Sequence, residues 1–175
     1  IFEGSTEIMH LFIAREALDP HLRRGAAALD TRKAMGERAS AAAKAGLFYA
    51  TWYPARWLPS FPGLPDQLDP GLRSGMRDVA SLSRRLARTL FHSMARNGPK
   101  LERRQLLLGR LVDIGSELLA MSCAAAYAHS LGDEESVQTA RYVCKRGKRR
   151  IQALFTEASN APDADAYRLA KRMLG

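Results

Sequence analysis

Residues 133–160 read DEESVQTARYVCKRGKRRIQALFTEASN. Their apolar and small side chains recur at alternating steps of three and four, as in the seam between packed helices. Asp133 or Ser136 can begin this helix by accepting hydrogen bonds from its first amides, and Pro162 follows its end. The pattern therefore predicts one long helix with its seam buried against other helices. The seam residues are Val137, Ala140, Cys144, Gly147, Ile151, Leu154 and Ala158.

The same helical spacing continues on either side of this segment, separated by glycine and proline. No alternating strand pattern occurs, and short links between long helices favour antiparallel neighbours. We therefore predict an all-α fold, an up-and-down bundle of about four long helices, with a Pro/aromatic loop and short terminal helices. The predicted helices run from Thr6 to Leu18, from Asp30 or Thr31 to Trp52, from Pro70 (capped by Asp69) to Asn97, from Lys100 to Leu131 and from Asp163 to Leu174. The segments His21–Asp30 and 53–68 are predicted connectors.

The composition is that of a globular protein, with 175 residues, 46% hydrophobic and 26% charged. No apolar run reaches the roughly 20 residues that a membrane span needs. Cys123 and Cys144 lack metal-ligand spacing, so no metal site is predicted, and both are expected to be buried thiols of a reducing compartment. We therefore expect the protein in the cytoplasm or in a compartment of the mitochondrial-matrix type. A peripheral contact with a membrane stays open as an alternative.

The chain carries 27 Lys and Arg against 18 Asp and Glu, a net charge of +9. Part of the excess lies in the run 145–150, which includes Lys148, Arg149 and Arg150. One interpretation is a solvated helix face. The other is an anionic partner, either an acidic membrane surface or the phosphates of CoA. Nucleic acid is not predicted, because the run has no aromatic residue on which a base could stack.

A proline-rich stretch of ten residues contains four aromatic residues, Trp52, Tyr53, Trp57 and Phe61. Aromatic rings beside a cation, here Arg56, are typical of side chains that anchor a protein at a membrane interface. The alternative is that these rings cover the open end of the bundle. Both interpretations remain open at this stage.

The first residues, IFEGSTE, place a carboxylate on a glycine turn before an amphipathic helix. Gly4 gives the backbone freedom beside Glu3, and Ser5 or Thr6 can accept hydrogen bonds from the first amides of the helix. Glu7 falls in the positive first turn. Next to Phe2, the Glu3 carboxylate could have a pKa raised toward that of a general base, or it could be an ordinary exposed loop carboxylate.

Residues 1–22 resemble the segment that carries the catalytic base in acyl-CoA dehydrogenases, an aromatic-Glu-Gly-Thr/Ser motif followed by a helix rich in Ile, Leu and Arg. The resemblance implies that Glu3 removes the α-proton of an acyl-CoA while a hydride leaves the β-carbon for FAD. It also implies that Gly4 lies against the substrate and that Ser5, Thr6 and Glu7 lie near FAD. The implied partners are the acyl-CoA substrate and an electron-transfer flavoprotein, and the implied assembly is a homo-oligomer.

The resemblance divides the chain into residues 1–24, the end of a catalytic domain, and residues 25–175, a helical extension similar to that of very-long-chain-type members. Because the chain opens without Met or a leader, it is expected to be the C-terminal part of a longer enzyme. Alone it is expected to bind no FAD and to be inactive. The alternative is a non-catalytic helical module that docks on a membrane surface or a protein partner.

Overall fold

A computed structural model describes residues 6–59 and 63–174, without the side chains of Glu7, Leu29 and Pro99. Over these two ranges the protein is a helical bundle with no strand, which confirms the predicted all-α fold. A short 3₁₀ helix, Gly98–Arg103, precedes the fourth long helix. The α-helices are α1 (Thr6–Leu29), α2 (Met35–Ala55), α3 (Pro70–Asn97), α4 (Gln105–Leu131), α5 (Glu134–Asn160) and α6 (Asp163–Met173).

The main core lies between α3, α4 and α5. Ile114, Met121 and Ile151 are fully buried there, and Phe155 is 2% exposed. Helix α1 packs on the other side of α4, where Ala14 and Leu18 join a second buried cluster. Helix α2 packs along α1 and has no buried residue. Within the described ranges, no helix is long and apolar enough to span a bilayer.

Three predicted helix boundaries are confirmed. The Asp69 carboxylate accepts hydrogen bonds from the amides of Gly71 at 2.7 Å and Leu72 at 3.2 Å, and Pro70 occupies the first helical position. Asp133 accepts from the Ser136 amide at 2.8 Å. Gly132 ends α4 with φ of 73°, a left-handed conformation that suits glycine. These boundaries were predictable because each depends on one short-range contact.

The predicted end of the first helix is wrong. Helix α1 continues through Pro20 to Leu29, so the segment predicted as a connector, His21–Asp30, is almost wholly helical. A proline inside a helix removes one backbone hydrogen bond. Packing of the second half of α1 against α2 outweighs that local cost. The helix also crosses the predicted domain boundary at residues 24 and 25 without a break, and the division itself stays a prediction.

Three other boundaries also differ. Helix α2 begins at Met35, because the Asp30 carboxylate accepts a hydrogen bond from the Arg32 amide at 3.1 Å and shapes a turn instead of capping a helix. It ends at Ala55 and so takes in residues 53–55, which were predicted to be irregular. Helix α4 begins at Gln105 because residues 98–103 form the 3₁₀ helix.

The cysteine prediction holds for one residue only. Cys144 is buried in the seam of α5, and burial raises the pKa of its thiol. Cys123 is exposed. It lies two residues after the buried Met121, on a part of α4 that turns away from the core.

Candidate functional site

The carboxylate motif precedes the first helix of the structure. Glu3, Gly4 and Ser5 lie outside the described residues. Thr6 is the exposed first residue of α1, and the Glu7 backbone follows it in the first turn. Glu3 precedes Thr6 by three positions in the sequence. Helix α1 is therefore the described element nearest in sequence to the proposed base.

Helix α1 is held to α4 by apolar packing and by one polar contact. Ala14 and Leu18 are each 3% exposed, in a cluster with residues of the 3₁₀ helix and α4. One turn nearer the motif, His10 Nε2 lies 3.2 Å from Asp113 Oδ1. No local signal in the sequence pairs His10 with Asp113, because the two residues are far apart along the chain. This pair lies one helical turn from Thr6 and so ties the first turn of α1 to the bundle.

The outer face of α1 is apolar and exposed. Ile8, Met9, Phe12 and Ile13 are between 48% and 57% exposed. Beside this face, α1, α3 and α4 border a groove of about 330 Å³. Apart from Ser116, its lining is apolar or glycine, with Leu90 and Leu119 among its residues. The surface next to the motif is thus suited to contact with apolar groups.

The predicted aromatic residues separate into two environments. Trp52 and Tyr53 are half-buried at the last turns of α2, where both rings contact Phe91 of α3. Trp57 is 61% exposed, and the Arg88 guanidinium lies 4.1 Å from the centre of its ring. Phe61 lies outside the described residues. Trp52 and Tyr53 thus join α2 to α3, whereas Trp57 remains accessible.

The predicted basic residues of α5 face different neighbours. Lys148 Nζ lies 2.8 Å from Asp78 Oδ1 of α3. Arg150 Nε lies 2.9 Å from Glu117 Oε1 of α4. Arg149, between them, is exposed. Lys148 and Arg150 therefore contribute to packing between helices, and Arg149 is directed to solvent.

His21 joins α1 to α2 by a contact that has no local signal in the sequence. Its Nδ1 lies 2.9 Å from the Tyr49 hydroxyl oxygen, and its ring packs edge-on against Trp52. Burial lowers the pKa of His21 below 6.5, and the nearby Arg24 lowers it further. The neutral imidazole is therefore the form that the fold favours.

We expect the stability of the fold to fall as the pH drops below about 6.5. Below that pH the unfolded chain binds a proton at His21 more readily than the folded chain does. The stabilising contribution of neutral His21 is therefore present above about pH 6.5 and is lost below it. Urea unfolding midpoints near pH 7.5 and pH 5.5, for the parent chain and for His21→Gln, measure this effect. An equal drop in both proteins would contradict the role of His21.

Residues 6–59 and 63–174 contain no group of three or more His, Cys, Asp or Glu side chains placed to hold a metal ion. Thr6 carries a hydroxyl group at the start of α1, and the first amides of an α-helix lack partners within the helix. Such a helix N-terminus suits an anionic group, including a phosphate.

The chain is similar to mycobacterial proteins along almost its whole length. It is 39% identical to the "Probable acyl-CoA dehydrogenase FadE10" of Mycobacterium tuberculosis and to the protein of the same name from Mycobacterium bovis. Each alignment covers 186 positions and 99% of this chain. The chain spans only 28% of the length of these relatives. No family model and no solved structure matches it.

Proposed function

Because the chain belongs to the acyl-CoA dehydrogenase family, as a C-terminal part of such a protein, we propose that the enzyme containing it dehydrogenates a fatty acyl-CoA between its α- and β-carbons. The observation that supports this proposal most is the Glu3-Gly4 motif, which immediately precedes a helix anchored to the bundle. The similarity to the mycobacterial relatives along 99% of the chain supports the same reaction.

In the proposed reaction, the Glu3 carboxylate accepts the α-proton of the thioester. Its own backbone amide donates a hydrogen bond to the thioester carbonyl, which stabilises the charge that develops on that oxygen. FAD, when bound, supplies the acceptor for the hydride that leaves the β-carbon. The product is the trans-2-enoyl-CoA, and Gly4 leaves room for the substrate beside the base.

The first turn of α1 fits the proposed place of Ser5, Thr6 and Glu7 near FAD. Hydroxyl groups and backbone amides at a helix N-terminus can donate hydrogen bonds to phosphate oxygens. The anchor formed by His10 and Asp113, one turn further on, would keep this first turn in place as substrate enters. We further propose an electron-transfer flavoprotein as the electron acceptor, a homo-oligomeric enzyme and a reducing compartment.

The full-length protein tests this proposal directly. It should purify yellow, with flavin absorbance near 450 nm. Under anaerobic conditions a saturated fatty acyl-CoA should bleach that absorbance and yield the trans-2-enoyl-CoA, identified by mass spectrometry. A flavin that no saturated acyl-CoA reduces, at any chain length from short to very long, would overturn the proposed reaction.

The 175-residue chain by itself should behave differently. It spans 28% of the relatives' length, and we expect the flavin site to need residues outside it. We therefore predict that the purified chain folds as a helical protein, shows no flavin absorbance after dialysis against FAD and dehydrogenates no acyl-CoA. Circular dichroism checks the fold, and a visible spectrum checks the flavin. A retained flavin spectrum is the result that would contradict the expectation.

A further inference from the structure

Helix α2 is attached to the bundle without a buried core of its own. None of its residues is buried, whereas α3, α4 and α5 enclose fully buried side chains such as Ile114 and Ile151. The main packing partner of α2 is α1. Elements with few buried apolar contacts open at a lower free energy than the core does. Helix α2 can therefore detach while the rest of the bundle stays folded.

The last turns of α2 are attached through rings and through two hydrogen bonds. On the α1 side, His21 Nδ1 lies 2.9 Å from the Tyr49 hydroxyl oxygen. On the α3 side, His92 Nε2 lies 2.8 Å from the hydroxyl oxygen of Tyr53, one turn after Tyr49. The Phe91 ring contacts both tyrosines, with centre-to-centre distances of 5.0 Å to Tyr49 and 5.1 Å to Tyr53. We name these five residues the α2 latch.

His21 is the enclosed histidine of the α2 latch. Its side chain is half-buried, whereas His92 is exposed. The Trp52 ring packs edge-on against the His21 imidazole, with the two ring centres 5.0 Å apart. Burial lowers the pKa of His21 below 6.5, and the nearby Arg24 lowers it further. A proton on this imidazole therefore costs free energy while the latch is closed.

The charged groups around the α2 latch are Arg24 of α1, Arg56 just after α2, and Arg88 of α3. Arg88 donates a hydrogen bond to the Arg56 carbonyl oxygen. Within residues 6–59 and 63–174, no carboxylate pairs with any of these three arginines. The Asp19 carboxylate of α1 is paired with Arg23 at 2.5 Å. A proton on the imidazole would therefore add to a positive charge that no acidic side chain balances.

We propose that the α2 latch opens in acid: when His21 takes up a proton, the last turns of α2 detach from α1 and α3. An imidazolium can only donate hydrogen bonds, so it can no longer accept one from the Tyr49 hydroxyl. Its charge is also better hydrated in the open latch. Opening exposes the half-buried rings of Tyr49, Trp52 and Phe91 to water, while the core between α3, α4 and α5 stays closed. This device uses no residue of the carboxylate motif and is independent of the catalytic proposal.

Hydrogen–deuterium exchange of the full-length protein at pH 7.5 and pH 5.5 tests the proposal, with labelling times scaled to the intrinsic amide exchange rate at each pH. Where His21 takes up its proton only in the open state, the opening constant of α2 rises by up to about tenfold between the two pH values, because a free imidazole titrates near 6.5. Peptides from residues 35–55 should lose protection by up to that factor, and peptides from α4 and α5 should keep theirs. Equal protection of α2 at both pH values overturns the proposal. Greater protection at pH 5.5 also overturns it and would show that the rings hold the imidazolium as a bound cation.

Matched variants test whether His21 is the group that titrates. His21→Gln keeps a side chain that can hydrogen-bond to Tyr49 but takes up no proton, so the pH response of α2 should disappear. His129→Gln removes an exposed histidine from the last turn of α4 and should keep the response of the parent. Loss of the response in both variants, or its retention in both, would overturn the assignment to His21.

Arg24→Gln keeps the proposal testable where His21→Gln opens α2 at both pH values. The variant removes the weaker of the two causes that lower the pKa of His21, since burial is the larger cause. The pH response of α2 should therefore shrink and still persist. Circular dichroism at both pH values confirms that each variant remains helical. An unchanged response in Arg24→Gln would overturn the part of the proposal that assigns Arg24 to the α2 latch.

Discussion

Glu3→Gln in the full-length enzyme should lower turnover by about 10²–10⁴-fold, the contribution that a positioned acid or base typically makes. Glutamine keeps the shape of the side chain but cannot accept the α-proton of the acyl-CoA. Flavin content and the affinity for a substrate or product acyl-CoA should therefore stay close to those of the parent. Turnover with an artificial electron acceptor and the flavin spectrum measure the two effects separately.

The matched control for this variant is Glu16→Gln. Glu16 is an exposed carboxylate of the same helix, and the same change there should leave turnover within about twofold of the parent. Glu3→Asp should restore part of the activity, since it returns a carboxylate with a shorter reach. If Glu3→Gln retained parental turnover, the base would be another residue, and the family resemblance would have led to the wrong carboxylate.

The bundle itself could be predicted from the sequence because its signals are local. The three- and four-residue spacing of the α5 seam identifies the side of the helix that is buried, and Cys144, Gly147 and Ile151 are all buried. Asp69 and Asp133 cap helices through hydrogen bonds to amides two or three residues away. Such contacts can be inferred from a short window of sequence.

The errors occur where distant packing outweighs a local preference. Pro20 predicts a helix end, yet α1 continues because its second half packs on α2, where His21 contacts Tyr49. Aspartate often caps a helix, but the Asp30 carboxylate accepts hydrogen bonds from the backbone amide and the guanidinium of Arg32 in a turn. Neither outcome is visible in the residues nearby, since each depends on the partner that the fold supplies.

The candidate site was predictable only through resemblance. A glutamate followed by glycine is common, and the seven residues around Glu3 do not identify a base by their physical chemistry alone. The pair of His10 with Asp113, which fixes the adjacent helix turn, joins α1 to α4 and has no local signal. The positive charge of α3 and α5 is intermediate, because it was evident in the sequence while the pairing of the two helices was not.

The largest expected change in stability comes from Ile151→Ala. Ile151 is fully buried in the core between α3, α4 and α5, so the truncation leaves a cavity and should cost about 2–5 kcal/mol of unfolding free energy. Arg149→Ala, two residues away on the exposed side of α5, should cost less than about 0.5 kcal/mol. Urea unfolding of the two variants, followed by circular dichroism, gives both values. Equal costs would show that α5 is rotated about its axis relative to the structure.

Gly147 gives an independent test of the same orientation. A Cβ atom at this position would lie 2.8 Å from Cγ and Sδ of Met121, closer than real contacts allow. Because Met121 is itself fully buried, it has little room to move, and Gly147→Leu should destabilise the fold by about 1–3 kcal/mol or more. Urea unfolding measures this cost, and unchanged stability would contradict the orientation of α5. The residue lies in the middle of the basic run 145–150, whose Lys145 and Arg149 are exposed, so the helix has two different sides. Its inner face holds the core together, and its outer face carries the charge.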